Sequence, residues 1–361
     1  MGPLSTGSSI ASPIGTYRYF RPLLFCLPPE FTHHLSLRAI RLCASSSIGR
    51  RALERSFAPR LIDLNQQTTA FGLAFDSPLG LAAGYDKNAV ALGGFAALGF
   101  GHVEIGTVTP RPQNGNSGTR VLRLKEHGAL INRMGFPSEG LECVERRLDS
   151  FRANEDHLSL HRQLPMRIGV NIGKNKDTPN ASAHLDYTLL IKRLGPYADY
   201  VTINVSSPNT PHLRSLQALP SLRVLLESIM DARESSSSVS QRHLPVVVKL
   251  APEMSIAPLD ETLSLLSELN VDGVILSNTR GVKEADQLGL SGGLSGPPLF
   301  ERTLELVTLA RAISPEMTII ASGGVSTSHQ RDQLLNAGAS LVQVWTSLIY
   351  RGPSLLRAMS R

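Results

Sequence analysis

The chain has 361 residues, of which 42% are hydrophobic, and a formal net charge of +6. Its mean hydropathy of −0.02 is that of an ordinary soluble protein, and the length is typical of an α/β barrel with an extension. The three cysteines, Cys26, Cys43 and Cys143, form no close pair. This spacing argues against a disulfide framework, a zinc site or an iron–sulfur cluster, and suits a reducing compartment.

The first 60 residues contain eight arginines and only two acidic residues. Residues 1–16 are rich in Gly, Ser and Pro, which predicts a disordered tail, and residues 17–60 are predicted to be helical. No apolar run there approaches the ~20 residues that a membrane span requires. After Pro28-Pro29, one apolar side of a short helix is predicted to contain Phe31, Leu35, Leu37, Ile40 and Leu42.

Three interpretations of this basic segment remain open. An amphipathic helix with Arg38 and Arg41 at its margin would suit an anionic membrane surface. The same helix would also suit packing on the protein's own barrel. An arginine- and serine-rich start with few acidic residues is compatible with a mitochondrial transit peptide as well.

From residue 70 onward, apolar runs typical of buried strands alternate with segments of helical length. The predicted strands are Leu79–Ala83, His102–Val108, Arg167–Ile172, Tyr200–Val205, Pro245–Leu250, Gly273–Ser277, Thr318–Ala321 and Leu341–Trp345. The predicted helices are Ala89–Leu98, Glu139–Arg152, Ser182–Leu194, Leu219–Arg233, Pro258–Leu269, Pro298–Ile313 and Ser328–Ala337. Eight nearly continuous apolar strands indicate a parallel sheet covered by helices. Their number favours an α/β fold with a closed (β/α)8 barrel over residues 61–361.

Three stretches interrupt this alternation. Thr69–Ser77 alternates around Gly72 and is predicted to be a small hairpin that closes the bottom of the barrel. Thr109–Phe136 is longer than a strand–helix loop requires, and long structured loops are usually functional. The serine run Ser235–Ser238 is predicted to be an exposed loop.

The stretch Asn204–Pro211 follows a buried strand and presents two amides and two hydroxyls within six residues. Its prolines end the strand, because proline removes a backbone donor and restricts the preceding residue. A turn built from turn-prone residues explains the composition in structural terms. The alternative is a site that hydrogen-bonds a small polar ligand, at the strand ends where barrel enzymes place their chemistry.

Lys249 lies within an otherwise apolar strand, where an unpaired cation would be costly. Either its ammonium reaches solvent, or it has an anionic partner on the chain or on a ligand. The Gly323-Gly324 pair and Trp345-Thr346 follow the last two strands, where this fold binds phosphate through backbone N–H groups and a helix N-terminus. A double glycine alone is weak support, because many turns contain one.

The predicted strand ends contain amides, hydroxyls, lysines and glycines. They contain no paired carboxylates, no metal-ligand cluster and no Ser–His–Asp set. Such an inventory favours a phosphorylated cofactor and a small polar anion over metal-dependent hydrolysis.

Eight long motifs in order make the chain resemble the class 2, quinone-linked dihydroorotate dehydrogenases from about Tyr17 to the C-terminus. They are GLAAGYDKNA, EIGTVTPRPQNGN, LINRMGF, VNIGKNKDTP, INVSSPNTPHLRSLQ, VVVKLAP, GGLSGPPL and AGASLVQVWTSLIYRGP. The resemblance implies oxidation of (S)-dihydroorotate to orotate in pyrimidine biosynthesis, with bound FMN and a quinone as electron acceptor. The basic N-terminal segment would then be the membrane-facing entrance for the quinone.

The resemblance also assigns roles residue by residue. FMN would be held by Ala83, Gly84, Thr107, Asn171, Asn204, Lys249, Ser277, Gly296, Gly324, Trp345 and Thr346. The substrate would be surrounded by Lys87, Asn132, Arg133, Met134, Gly135, Phe136, Asn204, Asn209, Asn278 and Thr279. Ser207 matches the catalytic base, which is a cysteine in class 1 enzymes. No metal site is implied.

Two chemical points qualify the resemblance. A serine hydroxyl is a poor base near neutral pH, so its proton must pass onward, through Thr210 or a water path shielded by Phe136. Trp345 stands where the family usually has tyrosine and Ser277 where it usually has threonine, which bears on flavin affinity.

Two other functions fit parts of the sequence. An FMN-dependent dihydrouridine synthase acting on tRNA would agree with the pI of about 9.4, but no catalytic cysteine follows a strand and no RNA-binding domain is appended. A catalytically silent membrane-associated binding protein would have no need of Lys87, Ser207 and Lys249 together. The expected partners are therefore dihydroorotate, a membrane quinone and a membrane surface, without nucleic acid. The expected location is the cytoplasmic face of a bacterial membrane or, alternatively, the mitochondrial inner membrane.

Overall fold

The computed structural model describes residues 12–59, 67–154, 164–240, 242–283 and 291–360. Among these residues the barrel strands are β3 (Leu79–Leu81), β4 (His102–Val108), β7 (Arg167–Ile172), β8 (Tyr200–Asn204), β9 (Val246–Lys249), β10 (Gly273–Leu276), β13 (Thr318–Ser322) and β14 (Leu341–Val344). All neighbouring strands pair in parallel, and β10 also pairs with β9, so the sheet closes. The predicted (β/α)8 barrel is confirmed, with each strand near its predicted position.

The outer helices follow the strands as predicted. They are α4 (Leu92–Leu98), α5 (Leu141–Arg152), α6 (Ala183–Leu194), α7 (Leu219–Ser240), α8 (Ile256–Glu268), α9 (Phe300–Ile313) and α10 (Ser328–Asn336), followed by the short α11 (Thr346–Arg351) and α12 (Leu355–Met359). The predicted exposed loop at Ser235–Ser238 is wrong, because α7 continues to Ser240. The Ser235 hydroxyl donates to the carbonyl of Asp231 one turn earlier, and this local bond accommodates a serine inside a helix.

The bottom of the barrel is closed by the predicted hairpin. Strands β1 (Thr68–Ala70) and β2 (Leu73–Phe75) pair antiparallel. Phe75 of this hairpin packs against interior side chains of β8, β9, β10, β13 and β14, all of them fully buried. The hairpin therefore covers the amino-terminal end of the barrel, opposite the strand ends that carry the predicted site.

The long stretch Thr109–Phe136 contains two strands, β5 (Val121–Leu124) and β6 (Ala129–Asn132). They join β12 (Gly292–Ser295) and β11 (Arg280–Val282) in a four-stranded antiparallel sheet outside the barrel. This sheet lies at the carboxyl end of the barrel strands, so its loops contribute to the mouth of the barrel.

Three helices precede the barrel: α1 (Tyr17–Cys26), α2 (Pro29–Ala44) and α3 (Ser47–Phe57). Helix α2 contacts α4, where the Ile40 side chain lies over Gly94. The Arg120 side chain, from the loop before β5, forms an ion pair with Glu30 of α2. The segment is thus attached both to the barrel and to the outer sheet. Ahead of it, the backbone N–H of Ile14 donates to the carbonyl of Arg351, whereas most of the predicted disordered tail, residues 1–11, lies outside the described residues.

The prediction that five apolar residues of α2 share one side is wrong. Leu37 is buried and Ile40 is partly buried against the barrel. Phe31, Leu35 and Leu42 are 56%, 45% and 75% exposed. The two sets lie about half a turn apart at 3.6 residues per turn. Helix α2 therefore has two apolar surfaces. One packs on the barrel, as the second interpretation of this segment expects, and the other faces outward, as the membrane interpretation expects.

Candidate active site

A cavity of ≈ 1220 Å³ opens at the carboxyl ends of the barrel strands. Its wall includes Lys249 and Ser207 from the barrel strand ends, and Phe25 and His33 from α1 and α2. Single ligand sites usually measure roughly 300–1,000 Å³, so this space can accept more than one ligand. One continuous cavity therefore joins the barrel mouth to the N-terminal helices.

The wall of the cavity rests on a buried network of amides and a hydroxyl. The Asn204 side-chain amide donates to Thr107 Oγ1 at 2.9 Å and to Asn171 Oδ1 at 3.0 Å. Thr107 Oγ1 donates to the same Asn171 oxygen at 2.6 Å. The Tyr187 hydroxyl holds the Asn204 carbonyl at 2.9 Å. Because these bonds lock the rotamers of Asn204 and Thr107, both side chains are preorganised toward the cavity.

Lys249 does not reach solvent: its side chain is 5% exposed, and its ammonium lies 3.7 Å from the Glu104 carboxylate. Glu104 is fully buried and also accepts hydrogen bonds from Asn171 at 2.8 Å and from Gln343 at 2.9 Å. The anionic partner that the sequence required is thus on the chain itself. The sequence-based prediction did not include Glu104 and Gln343 among the site residues. Each of them gives the same signal as Lys249, because each is a polar residue within an apolar strand.

Ser207 lies in the loop after β8 and is 7% exposed. Its Oγ accepts a hydrogen bond from the backbone N–H of Asn209 at 3.2 Å, and it lines the cavity. Thr210, one turn further along the loop, is 5% exposed, and its hydroxyl has no hydrogen-bond partner among the described residues. A buried hydroxyl without a partner leaves room for a water or a proton-transfer contact.

Four amide and hydroxyl side chains form two hydrogen-bonded pairs around the ends of three strands. The Asn209 side chain donates to Asn132 Oδ1 at 3.0 Å, and the Asn278 side chain donates to Ser206 Oγ at 2.9 Å. The backbone N–H of Thr279 donates to Asn278 Oδ1 at 2.7 Å. These contacts draw the ends of β6, β8 and β10 together, and they present donors and acceptors suited to a small planar polar molecule.

Lys87 supplies a cation at the same mouth. Its ammonium donates to the carbonyl of Gly84 at 2.8 Å, and burial lowers the pKa of Lys87 to about 8. Glu30 and Asp86 oppose that shift by their negative charge, while Arg120 reinforces it. A lysine with this pKa is mostly charged at neutral pH, and an anionic ligand would strengthen the charged form.

Two glycines at the mouth of the barrel allow close backbone approaches that any other residue would block. Gly296 has φ +103°, and an added Cβ would lie 2.9 Å from the carbonyl oxygen of Gly128. Gly324 has φ +78°, and an added Cβ would lie 2.3 Å from the backbone nitrogen of Phe300. Both positions require glycine for conformational and steric reasons. Both glycines also line the cavity, at the end of the barrel where this fold binds phosphate.

The structure gathers most of the predicted site residues around this cavity. The predicted residues that line it are Ala83, Gly84, Lys87, Thr107, Asn132, Met134, Gly135, Phe136, Asn204, Ser207, Asn209, Lys249, Ser277, Asn278, Thr279, Gly296, Gly324, Trp345 and Thr346. Asn171 lies behind the wall, in contact with Thr107 and Asn204. Arg133 instead borders a smaller, separate cavity of ≈ 480 Å³.

The barrel, the glycines at its mouth and the buried lysine are typical of a cofactor-dependent barrel enzyme. The model of the family "Dihydroorotate dehydrogenase" matches residues 65–361. A curated dihydroorotate dehydrogenase (quinone) from Dichelobacter nodosus is 41% identical over 94% of this chain and 96% of its own length. The same enzyme from Methylococcus capsulatus is 44% identical over the same shares.

A crystal structure of DHODH from Eimeria tenella in complex with ferulenol superposes with a TM-score of 0.81. It is 36% identical and covers 92% of this chain and 89% of its own. The chain therefore belongs to the dihydroorotate dehydrogenase family of oxidoreductases, and this membership implies a flavin cofactor. Among the described helices, none combines the length and the apolar character needed to span a bilayer.

Proposed function

We propose that this enzyme oxidises (S)-dihydroorotate to orotate in pyrimidine biosynthesis, with FMN as its flavin and a membrane quinone as electron acceptor. The observation that supports it most directly is that Ser207, Lys249 and the cluster of amides border one cavity, which continues to the N-terminal helices. The quinone-dependent relatives resemble the chain over nearly its whole length.

The residues present fit FMN. Gly296 and Gly324 would hold the phosphate together with Thr346, whose hydroxyl donates to Ser295 Oγ at 2.9 Å. Lys249, Thr107 and Asn204 would hold the flavin ring. When bound, FMN supplies the hydride-accepting ring. A fixed cation near such a ring favours the electron-rich state of the cofactor, which is electronic tuning by the protein.

The substrate would be held by side chains that line the same cavity as Ser207. Its carboxylate would pair with the Lys87 ammonium. Its ring amide groups would exchange hydrogen bonds with Asn132, Asn209 and Asn278 in place of the contacts that these side chains make with one another. Hydrogen bonds from several amides orient the substrate ring, and orientation of reacting groups contributes strongly to rate.

Ser207 would remove a proton from the substrate carbon next to the one that gives up hydride. A hydroxyl is a weak base at neutral pH, so the proton must leave as it arrives. Thr210 is a candidate acceptor on the same loop, because its hydroxyl has no hydrogen-bond partner among the described residues. Phe136, which is 8% exposed and borders the cavity, would shield this path from bulk water.

The quinone would enter between α1 and α2. The exposed apolar side chains of these helices, of the turn between them and of α3 are Tyr19, Phe20, Leu23, Leu27, Phe31, Leu35, Leu42 and Ile48. Arginines accompany them, and an apolar surface with basic neighbours suits peripheral binding to an anionic membrane. We place the enzyme on the cytoplasmic face of a bacterial membrane, with the mitochondrial inner membrane as the alternative.

The test is an absorption spectrum of the purified protein, repeated without oxygen after addition of dihydroorotate. Flavin bands that bleach on addition are the expected result and report cofactor and substrate together. Reoxidation by a soluble quinone analogue would then identify the acceptor. Flavin bands that persist would contradict the substrate, and a protein that takes up no FMN on reconstitution would contradict the cofactor.

A further inference from the structure

The barrel interior contains a carboxylate that the proposed chemistry does not use. Glu104 lies midway along β4, is fully buried, and contacts side chains from four other strands. Its Oε1 accepts from Asn171 at 2.8 Å and faces the Lys249 ammonium at 3.7 Å. Its Oε2 accepts from Gln343 at 2.9 Å and contacts the Tyr200 hydroxyl at 3.5 Å.

These contacts surround Glu104 with hydrogen-bond donors from three other strands. Asn171, Gln343 and Tyr200 all offer it N–H or O–H donors. Burial raises the pKa of Tyr200 well above its usual value, so its hydroxyl remains a neutral donor. A buried carboxylate needs a nearby positive charge, and the one cation within ion-pair distance among the described residues is Lys249.

Lys249 in turn depends on Glu104 for its ion pair. The Lys249 side chain is 5% exposed, and its ammonium makes no hydrogen bond to a described residue. Among these residues Glu104 is its only ion-pair partner. Without that carboxylate, a buried ammonium would have no counter-charge on the chain and would turn away toward the cavity. The positive charge would then no longer be fixed at the cofactor site.

We propose that Glu104 is a positioning residue of the cofactor site, whose carboxylate pairs with the Lys249 ammonium and fixes it in place to act on the flavin. This inference rests on the proposed function, since it requires a flavin in the cavity. Glu104 itself touches neither cofactor nor substrate: it acts through Lys249 and, by its bond to Asn171, through the Asn204–Thr107 network.

The test compares the two-electron reduction potential of bound FMN in four proteins: the wild type, Glu104→Gln, Lys249→Met and the double variant. Glu104→Gln preserves shape, and Gln343 can turn its partnerless Oε1 toward the new amide. We expect Glu104→Gln to weaken binding of reduced relative to oxidised flavin by about tenfold, which is a fall of about 30 mV. Lys249→Met should cause a similar fall, and the double variant should fall no further.

Two further variants separate this role from a structural one. Glu104→Asp retains the charge and should recover part of the lost potential, and it also provides a measurement if Glu104→Gln fails to fold. Asp199→Asn removes a buried carboxylate at the other end of the barrel, where it pairs with Arg152 and Arg167. That control should lower the free energy of unfolding and leave the flavin potential unchanged.

An unchanged or raised potential in Glu104→Gln would overturn the inference. So would an equal fall caused by Glu104→Gln in the wild-type and Lys249→Met backgrounds, because Glu104 would then act independently of Lys249. A wild type that binds FMN but does not bleach with dihydroorotate would refute the proposed substrate and leave this inference standing. A wild type that binds no FMN would refute both.

Discussion

The two ends of the barrel interior are equally buried and are filled by opposite chemistry. At the amino-terminal end, Phe75, Val247, Ile275 and Leu341 form a dry apolar layer in which every side chain is fully buried. At the carboxyl end, the next interior positions along the strands hold Glu104, Lys249, Asn171, Asn204 and Gln343. Strand geometry makes these layers successive, because interior residues alternate at every second position.

The apolar filling of one end stabilises the fold, whereas the polar filling of the other end provides the functional site. Apolar side chains fill a barrel at no desolvation cost, whereas buried polar groups cost free energy unless each finds a partner. The carboxyl end tolerates that cost through hydrogen bonds between strands, together with ligand contacts that the proposed function supplies. Substitutions at this end should therefore change chemistry, and those at the other end should change stability.

The largest expected effect belongs to Ser207→Ala. Removing the proposed base should slow reduction of the flavin by dihydroorotate roughly 10²–10⁴-fold, because general bases contribute rate accelerations of that size. Rapid-mixing absorption measurements of flavin bleaching would determine the rate. Ser207→Cys should retain more of the rate than alanine, since a thiol ionises more readily than a hydroxyl. Bleaching by Ser207→Ala at the wild-type rate would rule out the base role.

How well sequence alone predicted these regions depends on the range of the interactions. The strands were predictable because each is a continuous apolar run, and the hairpin at Thr69–Ser77 because it alternates around a glycine. The end of α7 was not, because the Ser235–Ser238 run has low helix propensity and is accommodated by the helix already formed before it. The apolar residues of α2 were assigned to one side, although their spacing divides them between the barrel and the outside.

The rule that barrel enzymes place their chemistry at strand ends identified site residues from every part of the barrel. It did not predict the contacts of Glu104. Gln343 lies 239 residues from Glu104 along the chain, and no local pattern connects them. Lys249 showed that a partner was required without showing which residue supplied it. Pairings across a barrel interior depend on the register of nonadjacent strands, which a single sequence does not specify.

The next effect concerns the dry end, where His102 is the exception. The ring is fully buried near Phe75 and Tyr200, and neither nitrogen has a hydrogen-bond partner among the described residues. Burial lowers the pKa of His102 to about 3, below the 6.5 of an unfolded histidine. At a pH between these two values, His102 binds a proton in the unfolded chain but not in the folded protein. Protonation therefore favours the unfolded chain, and the free energy of unfolding falls as the pH falls below 6.5. At pH 5 the loss should be about 2 kcal/mol.

His102→Phe replaces this ring with one that cannot titrate. Urea unfolding of both proteins at pH 8 and pH 5 should show the wild type losing about 2 kcal/mol more than the variant. His33, whose pKa burial also lowers to about 3, is present in both proteins and drops out of the difference. Equal losses in the two proteins would mean that His102 takes up a proton in the folded state without penalty.

The smallest expected effect lies at the rim of the site, where Arg214 joins two loops. Its guanidinium donates to the carbonyl of Ser206 at 3.0 Å, to the carbonyl of Thr279 at 3.1 Å and to Glu253 at 3.0 Å. Arg214→Lys keeps the charge but loses the planar fork. Losing about 1 kcal/mol of loop positioning should raise the KM for dihydroorotate roughly fivefold, with little change in unfolding.

Arg223→Lys is the matched control, because Arg223 pairs with Glu268 on the outer surface, between α7 and α8. It should leave the KM unchanged. If Arg214→Lys lowered the unfolding midpoint and left the KM as in the wild type, Arg214 would contribute to stability, like the residues of the apolar end, and not to substrate binding. The residues that affect the chemistry would then begin at the Glu104–Lys249 layer.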